Sequence, residues 1–296
     1  LTTTPALNAD ALRGIMFMCL ACSLFPLLNA CAKLLGNSYP ITEVVWARYA
    51  GHLLVILVMF MPRRGWRLFV ARRPGMQSLR SLLLFGSTAF YFTALHFLPL
   101  ATAASISFTS PFIVMGLSVW LLGERVGIHR IGAALLGFAG ALIIIRPGFE
   151  GTHWATLLVL ASATSFAFYS VLTRKVAGID TAETMITYAA LVGVVVATLA
   201  LPLFPWVWPA SALDFALFAV MGICGGVGHL FVIKAFTYGQ ASMISPFNYV
   251  QLIGATVLGY LVFDSFPDAW TWLGAAMIVA GGLYVAYREG IRRAQT

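Results

Sequence analysis

The chain has 296 residues, 60% of them hydrophobic and only 9% charged, where ordinary water-soluble domains carry roughly 25% charged residues; water is therefore excluded as its main solvent. Its formal charge of +8 would suit a nucleic-acid partner, so the placement of the basic residues has to decide that point. Its apolar runs are continuous and do not alternate over segments of about ten residues, which excludes a transmembrane β-barrel.

A hydrocarbon core about 30 Å thick needs roughly 20 apolar residues per spanning helix. Ten such segments are predicted, at 13–35, 42–61, 80–98, 101–122, 128–146, 153–174, 183–204, 213–236, 240–263 and 269–287. In the first, Cys19 and Cys22 form a CxxC with no second pair to complete a metal or redox motif. They read as small packing residues, and no metal or cofactor is expected. Arg13 and the run ending in Leu28-Asn-Ala-Cys31 have the form of a lipoprotein signal, a reading that the internal repeat opposes.

The second segment carries Arg48 and His52 at i and i+4, on one helical face near its centre. Ionisable groups at that depth are functional candidates, because leaving them unpaired in hydrocarbon is expensive. Arg48 has two readings: it binds a substrate carboxylate, or Glu43 at the outer end of the same segment occupies it. The next connection holds Arg63, Arg64, Arg67, Arg72 and Arg73, with Arg80 at its far end. Trp66, Leu68, Phe69 and Val70 among them suit either a topology-setting charge run or a short helix on an anionic leaflet. With the N-terminus inside, fifteen of the eighteen Lys and Arg residues fall on the cytoplasmic side, leaving Lys33 and Arg146 outside and Arg48 within the membrane. The positive-inside rule thus accounts for the charge, places both termini in the cytoplasm and removes the need for nucleic acid.

Aromatic residues gather mid-helix in the third, sixth and seventh segments: Phe90, Tyr91 and Phe92, then Phe166, Phe168 and Tyr169, then Tyr188. Interfacial belts explain Trp206 and Trp208 but not these tyrosines, whose hydroxyls need partners. An aromatic-lined cavity is expected. Ser107 and Thr109 in the fourth segment and Asn248, Tyr249 and Gln251 in the ninth would supply its hydrogen bonds, although each serves equally as helix-packing glue. In the eighth segment His229 follows the glycine-dense stretch 222–228, which either approaches a ligand closely or breaks the helix. His229 itself reads as a ligand or proton-relay group, or as a packed, hydrogen-bonded histidine. Every Asp and Glu lies at or near a segment end, so no midplane carboxylate offers proton or sodium coupling, and facilitated transport is expected. The candidate substrate-binding set is Arg48, His52, Tyr91, Ser107, Tyr169, Tyr188, His229, Asn248 and Gln251.

The chain also repeats itself. Gly132/Gly274, Ala133/Ala275, Ala134/Ala276, Gly140/Gly282, Arg146/Arg288 and Gly148/Gly290 match at an offset of 142, and Lys33/Lys175, Glu43/Glu183, Ala50/Ala190, Val55/Val195, Pro62/Pro202 and Ala94/Ala235 continue the match at 140 to 142. The first five segments therefore correspond to the last five, giving halves 1–150 and 151–296. Five spans is an odd number, so the second copy enters the membrane from the opposite face. The expected fold is an all-α integral membrane protein of ten transmembrane helices arranged as two inverted five-helix repeats, a plan suited to alternating access. The shared Gly and Ala residues are expected to let helices pack closely and not to touch substrate.

Lys33, Arg48 and the run Ala94–Ile143, above all Pro111 to Glu124 followed by Gly132 and Gly140, resemble the EamA-type branch of the ten-helix drug/metabolite transporter superfamily. The likeness extends over essentially the whole chain. Asp264 departs from it, standing where the family usually has Glu, as does Gln251, which falls near the position of Pro111. The resemblance implies a carrier with a central cavity in the bacterial cytoplasmic membrane, and within the family the chain looks most like the YddG-type amino-acid exporters. The reading that follows is export of neutral aromatic or large apolar amino acids by a monomer among membrane lipids. The alternative is a carrier of the same fold for a bulkier metabolite, nucleotide-linked or sulfonium, or for lipophilic drugs. An enzyme is not expected, because the segments hold no HExxH, no paired midplane carboxylates and no Ser/His/Asp set.

Overall fold

Helices make up most of the described residues of this computed structural model, namely 9–122, 128–145, 153–176, 179–238, 247, 248 and 250–294. They are α1 (Ala9–Gly36), α2 (Ile41–Arg64), α3 (Pro74–Phe97), α4 (Leu100–Ser107), α5 (Ser110–Leu122), α6 (Ile128–Ile145), α7 (Ala155–Val176), α8 (Ala182–Ala200), α9 (Ala212–Tyr238), α10 (Val250–Phe263) and α11 (Ala269–Ala294). Among the described residues six stretches are long and apolar enough to cross a membrane, and shorter apolar helices cover Ile131–Ile145, Val250–Phe263 and Ala269–Tyr284. Helix α3 belongs to neither set. It carries Gln77, Arg80, Ser81, Ser87 and Thr88 on its buried face and lies inside the bundle, where other helices satisfy these groups. Ser87 and Ser162 of α7, for example, share a 3.0 Å hydrogen bond.

The fourth predicted segment is not one helix. It breaks after Ser107 because Pro111 has no N–H to give the Ser107 carbonyl four residues back, and its ring would collide with that carbonyl. The hydroxyls of Ser105, Ser107 and Thr109 turn back onto the Ala101, Ala103 and Ile106 carbonyls and hold the bend. α4 and α5 together make one span. The ninth predicted segment, 240–263, is helical from Val250; the residues 239–246 lie outside those described.

Helix packing obeys a two-fold rule. Under the sequence offset, α1, α2, α3, α4–α5 and α6 correspond to α7, α8, α9, α10 and α11. α1 packs on α9 as α7 packs on α3, α2 on α9 as α8 on α3, and α1 on α10 as α7 on α5. The pairs α6–α11 and α2–α8 map onto themselves and therefore lie across the axis. The chain is an all-α integral membrane protein built as two inverted five-helix repeats.

Glycine sets the closest approaches. A Cβ on Gly51 of α2 would lie 2.6 Å from the Gly222 Cα of α9, and one on Gly140 of α6 would lie 2.6 Å from the Gly274 carbonyl of α11. The repeated glycine motif is thus interface, as its composition suggested, though Gly132 faces open space.

Arg80 is a correction to the basic-loop reading. It is 2% exposed and joins three helices: Nε donates to Gln77 Oε1 at 3.1 Å, Nη1 to Thr173 Oγ1 at 3.1 Å and Nη2 to the Met185 carbonyl at 2.6 Å. The arginine-rich connection itself holds a 3₁₀ turn, Gly65–Phe69, with Leu68 buried and Trp66 exposed. Nearby, Asp180 accepts from the Arg72 N–H and from Gln77 Nε2, both at 2.8 Å. Partial burial raises its pKa, but these two hydrogen bonds and the Arg72 charge outweigh it and hold the carboxyl below its usual 3.8. Lys33, at the other end of the bundle, caps α3 by donating to the carbonyls of Leu95 and Leu98.

Two outcomes follow. Gly140→Leu should lower the melting temperature in detergent, by overpacking worth about 1–3 kcal/mol, whereas Gly132→Leu should leave it unchanged; equal effects would remove Gly140 from the interface. Because the Asp180 pKa is depressed, its contribution to stability is present above the unfolded value and lost as pH falls through the folded one. Melting temperatures measured from about pH 5 down to about pH 3 should fall more steeply in the wild type than in Asp180→Asn.

Candidate functional site

One face of α2 is buried along its length, through Val44, Val45, Arg48, Tyr49, His52 and Ile56, a spacing of three and four residues that turns Arg48 and His52 inward together. They meet α9. His52 and His229 stack nearly parallel, with ring centroids 5.2 Å apart and planes 9° off, and Arg48 Nη2 lies 3.5 Å from His229 Nε2. Phe25 of α1 closes the far side of His229 at 5.3 Å. The glycine stretch 222–228 does not break α9. It lets α1 and α2 approach, with Leu28 and His52 against Gly225 and Val55 against Gly226.

Arg48 is 5% exposed and His52 1%. The guanidinium lies over the Tyr49 ring, 4.4 Å from its centre, and the Tyr49 hydroxyl is fixed at 3.0 Å on Thr88 Oγ1. Among the described residues, Arg48 Nε and Nη1 and both ring nitrogens of His52 have no hydrogen-bond partner. Glu43 does not supply one. Its Oε2 accepts from the Val207 N–H at 3.1 Å, which overturns the reading in which Glu43 occupies Arg48. The cluster therefore contains a buried cation with donors to spare and, among the described residues, no acid against it, an arrangement fitted to accept an anion.

The other candidates lie elsewhere. Tyr91 of α3 is half-buried, and Ser107 at the end of α4 donates to the Ala103 carbonyl. Tyr169 lies under the Arg80 guanidinium at 5.0 Å, and Tyr188 donates to the Phe69 carbonyl at 3.1 Å; both brace the end of the bundle that carries the arginines. Asn248 accepts from the Cys22 thiol at 3.7 Å, so the first cysteine motif serves packing of α1 against the residues before α10, and Gln251 is half-buried in α10. Phe90 and Phe166 face outward. Tyr249 lies outside the described residues. Among the described residues, direct contacts join three of the nine, Arg48, His52 and His229. A groove of about 410 Å³ runs between α10 and α11, lined by Phe247, Val250, Leu252, Ile253, Thr256 and Trp272 among others, and holds none of the nine.

Sequence reading missed Tyr49, Phe25 and Arg80. Tyr49 had a signal in its position beside Arg48 on the inward face, while the other two depend on contacts between distant segments. The two-fold does not extend to the site's chemistry. The repeat offsets of 140 and 141 pair Arg48 with Tyr188 and His229 with Thr88, so only one half presents the cation.

The chain is similar to known transport proteins over most of its length. The model of the EamA-like transporter family matches twice, at residues 12–146 and 153–287. The chain is 28% identical over 278 residues to an S-adenosylmethionine uptake transporter of Rickettsia prowazekii (strain Madrid E), covering 94% of each. It is 30% identical to a riboflavin transporter of Rhizobium johnstonii, covering 94% of this chain and 92% of that one. It is 28% identical to the pseudopaline exporter CntI of Pseudomonas aeruginosa, covering 90% and 93%. A protein of known crystal structure shares the fold with a TM-score of 0.67 at 21% identity, covering 97% of this chain and 99% of that one. Two family matches, one on each five-helix half, show that the chain belongs to the EamA-like transporter family.

Proposed function

We propose that this transporter carries a bulky metabolite in which a heterocyclic or aromatic body bears a carboxylate, the chemical class of S-adenosylmethionine, by alternating access between halves 1–150 and 151–296. The observation that carries the reading is Arg48, buried at 5% exposure with Nε and Nη1 unpartnered and no described acid at hand. A buried guanidinium with open donors recognises a carboxylate directionally. The relatives support the size of the cargo: one takes up S-adenosylmethionine, one transports riboflavin and one exports pseudopaline. None of these three is named for a free amino acid, so the aromatic amino-acid reading gives way to the bulkier alternative. Both termini in the cytoplasm, placement in the bacterial cytoplasmic membrane and a monomeric state are part of the same proposal. The basic connection Arg63–Arg73 supports that orientation.

The test is flux into liposomes of labelled S-adenosylmethionine, riboflavin and phenylalanine. Saturable S-adenosylmethionine flux exceeding that of phenylalanine is expected, with Arg48→Ala reducing it about tenfold or more while the protein still inserts. Saturable phenylalanine flux without S-adenosylmethionine flux would return the protein to amino-acid transport. Riboflavin flux indifferent to Arg48→Ala would refute the carboxylate.

A further inference from the structure

The environment of His229 leads beyond substrate class. An arginine only donates, so the 3.5 Å contact from Arg48 Nη2 requires the lone pair of His229 Nε2 and a neutral imidazole protonated at Nδ1. An imidazole therefore stands where an anion's oxygen would stand on the guanidinium. No described carboxylate touches either ring. From α1 the facing group is the Phe25 ring, and the Cys22 thiol is directed to Asn248. From α2 the facing groups are Arg48 and His52, while the Tyr49 hydroxyl is held by Thr88 and Glu43 by Val207. On α9 itself, Lys234 lies over Phe17, 5.4 Å from the ring centre and away from the cluster.

We propose that Arg48, His52 and His229 form a subsite for one carboxylate that binds its anion together with a proton, His229 yielding its place on Arg48 to the carboxylate and accepting the proton at Nε2. The inference rests on the carrier reading above and adds the coupling. A carboxylate oxygen replaces the imidazole as acceptor, which frees the Nε2 lone pair. The same anion, now beside the ring, stabilises an imidazolium, so the proton comes from the aqueous phase and the carboxylate's charge enters neutralised. The stacked His52 limits uptake to a single proton for the pair, since two imidazoliums face to face repel one another. Under this proposal, proton-linked movement that uses no acidic side chain takes the place of the facilitated mode expected from the sequence.

The experiment uses the full chain in nanodiscs in weakly buffered solution, with proton uptake followed as ligand is added. The probes are S-adenosylmethionine and its decarboxylated analogue, with benzoate as a bare carboxylate. Binding of S-adenosylmethionine should take up about one proton at most per molecule, the decarboxylated analogue essentially none. His229→Gln retains an acceptor oxygen for Arg48 but cannot be charged, so the S-adenosylmethionine it still binds at saturating concentration should bring no proton uptake. Binding without proton uptake, or uptake undiminished in His229→Gln, overturns the inference and leaves the substrate reading standing. The comparison of the two sulfonium probes on wild type decides the matter even if the variant does not fold. If S-adenosylmethionine fails to bind, the substrate reading falls and benzoate decides the subsite: uptake in wild type that is lost in Arg48→Ala upholds it, and no uptake overturns it.

Discussion

A guanidinium sits inside an apolar bundle with a phenol ring beneath it, an imidazole beside it and, among the described residues, no acid against it. Everything else in the structure can be understood as making that tolerable. Hydrocarbon offers a charge nothing, so the protein must supply the surroundings. Tyr49 gives Arg48 a π face, and Thr88 pins Tyr49 in place. The glycines of α9 bring His229 within reach by removing the side chains that would hold the helices apart. Glu43, the acid nearest in sequence, is tied to a backbone amide near the far end of α2. A salt bridge there would have neutralised the cation permanently and left nothing to recognise.

The two kinds of helix contact divide the labour. The α6–α11 pair, glycine to glycine across the axis, is dry and close and acts as scaffold. Polar contacts join the halves in mid-span, as at Ser87–Ser162, and also at the ends, with Arg80, Asp180 and the Arg64–Glu183 ion pair at one end and the bonds of Tyr39 and Glu43 to the segment before α9 at the other. Polar contacts between halves can be exchanged for water when an end opens, whereas a buried glycine interface has no such substitute.

The fold was largely legible because lipid imposes continuous apolar runs of a fixed length, and all ten segments overlap helices where they are described. The exceptions are physical. Pro111 was in plain view, but its effect on the Ser107 carbonyl is a helix break that hydropathy averages away. α3 reads as the weakest span because its polar residues point into the bundle. At the site, Arg48 and His52 were legible from their four-residue spacing. Glu43 was the wrong partner for a geometric reason: five residues along a helix turn a side chain about 140° around the axis. His229 lies 181 residues from Arg48, and no local pattern reports a contact at that separation. Tyr169 and Tyr188 had hydroxyl-bearing rings in need of partners, but those partners, Arg80 and the Phe69 carbonyl, belong to the basic connection and not to a cavity.

The scaffold is two-fold and its charge is not: where one half has Arg48 and His229, the other has Tyr188 and Thr88. When the halves trade shapes, the backbone of one state resembles the other turned over, but the cation stays on α2. On the proposed reading, cargo gripped by its anionic end would be held by the same hand whichever side it boarded from. It would cross without somersaulting, and the membrane's two faces would meet opposite ends of the same molecule.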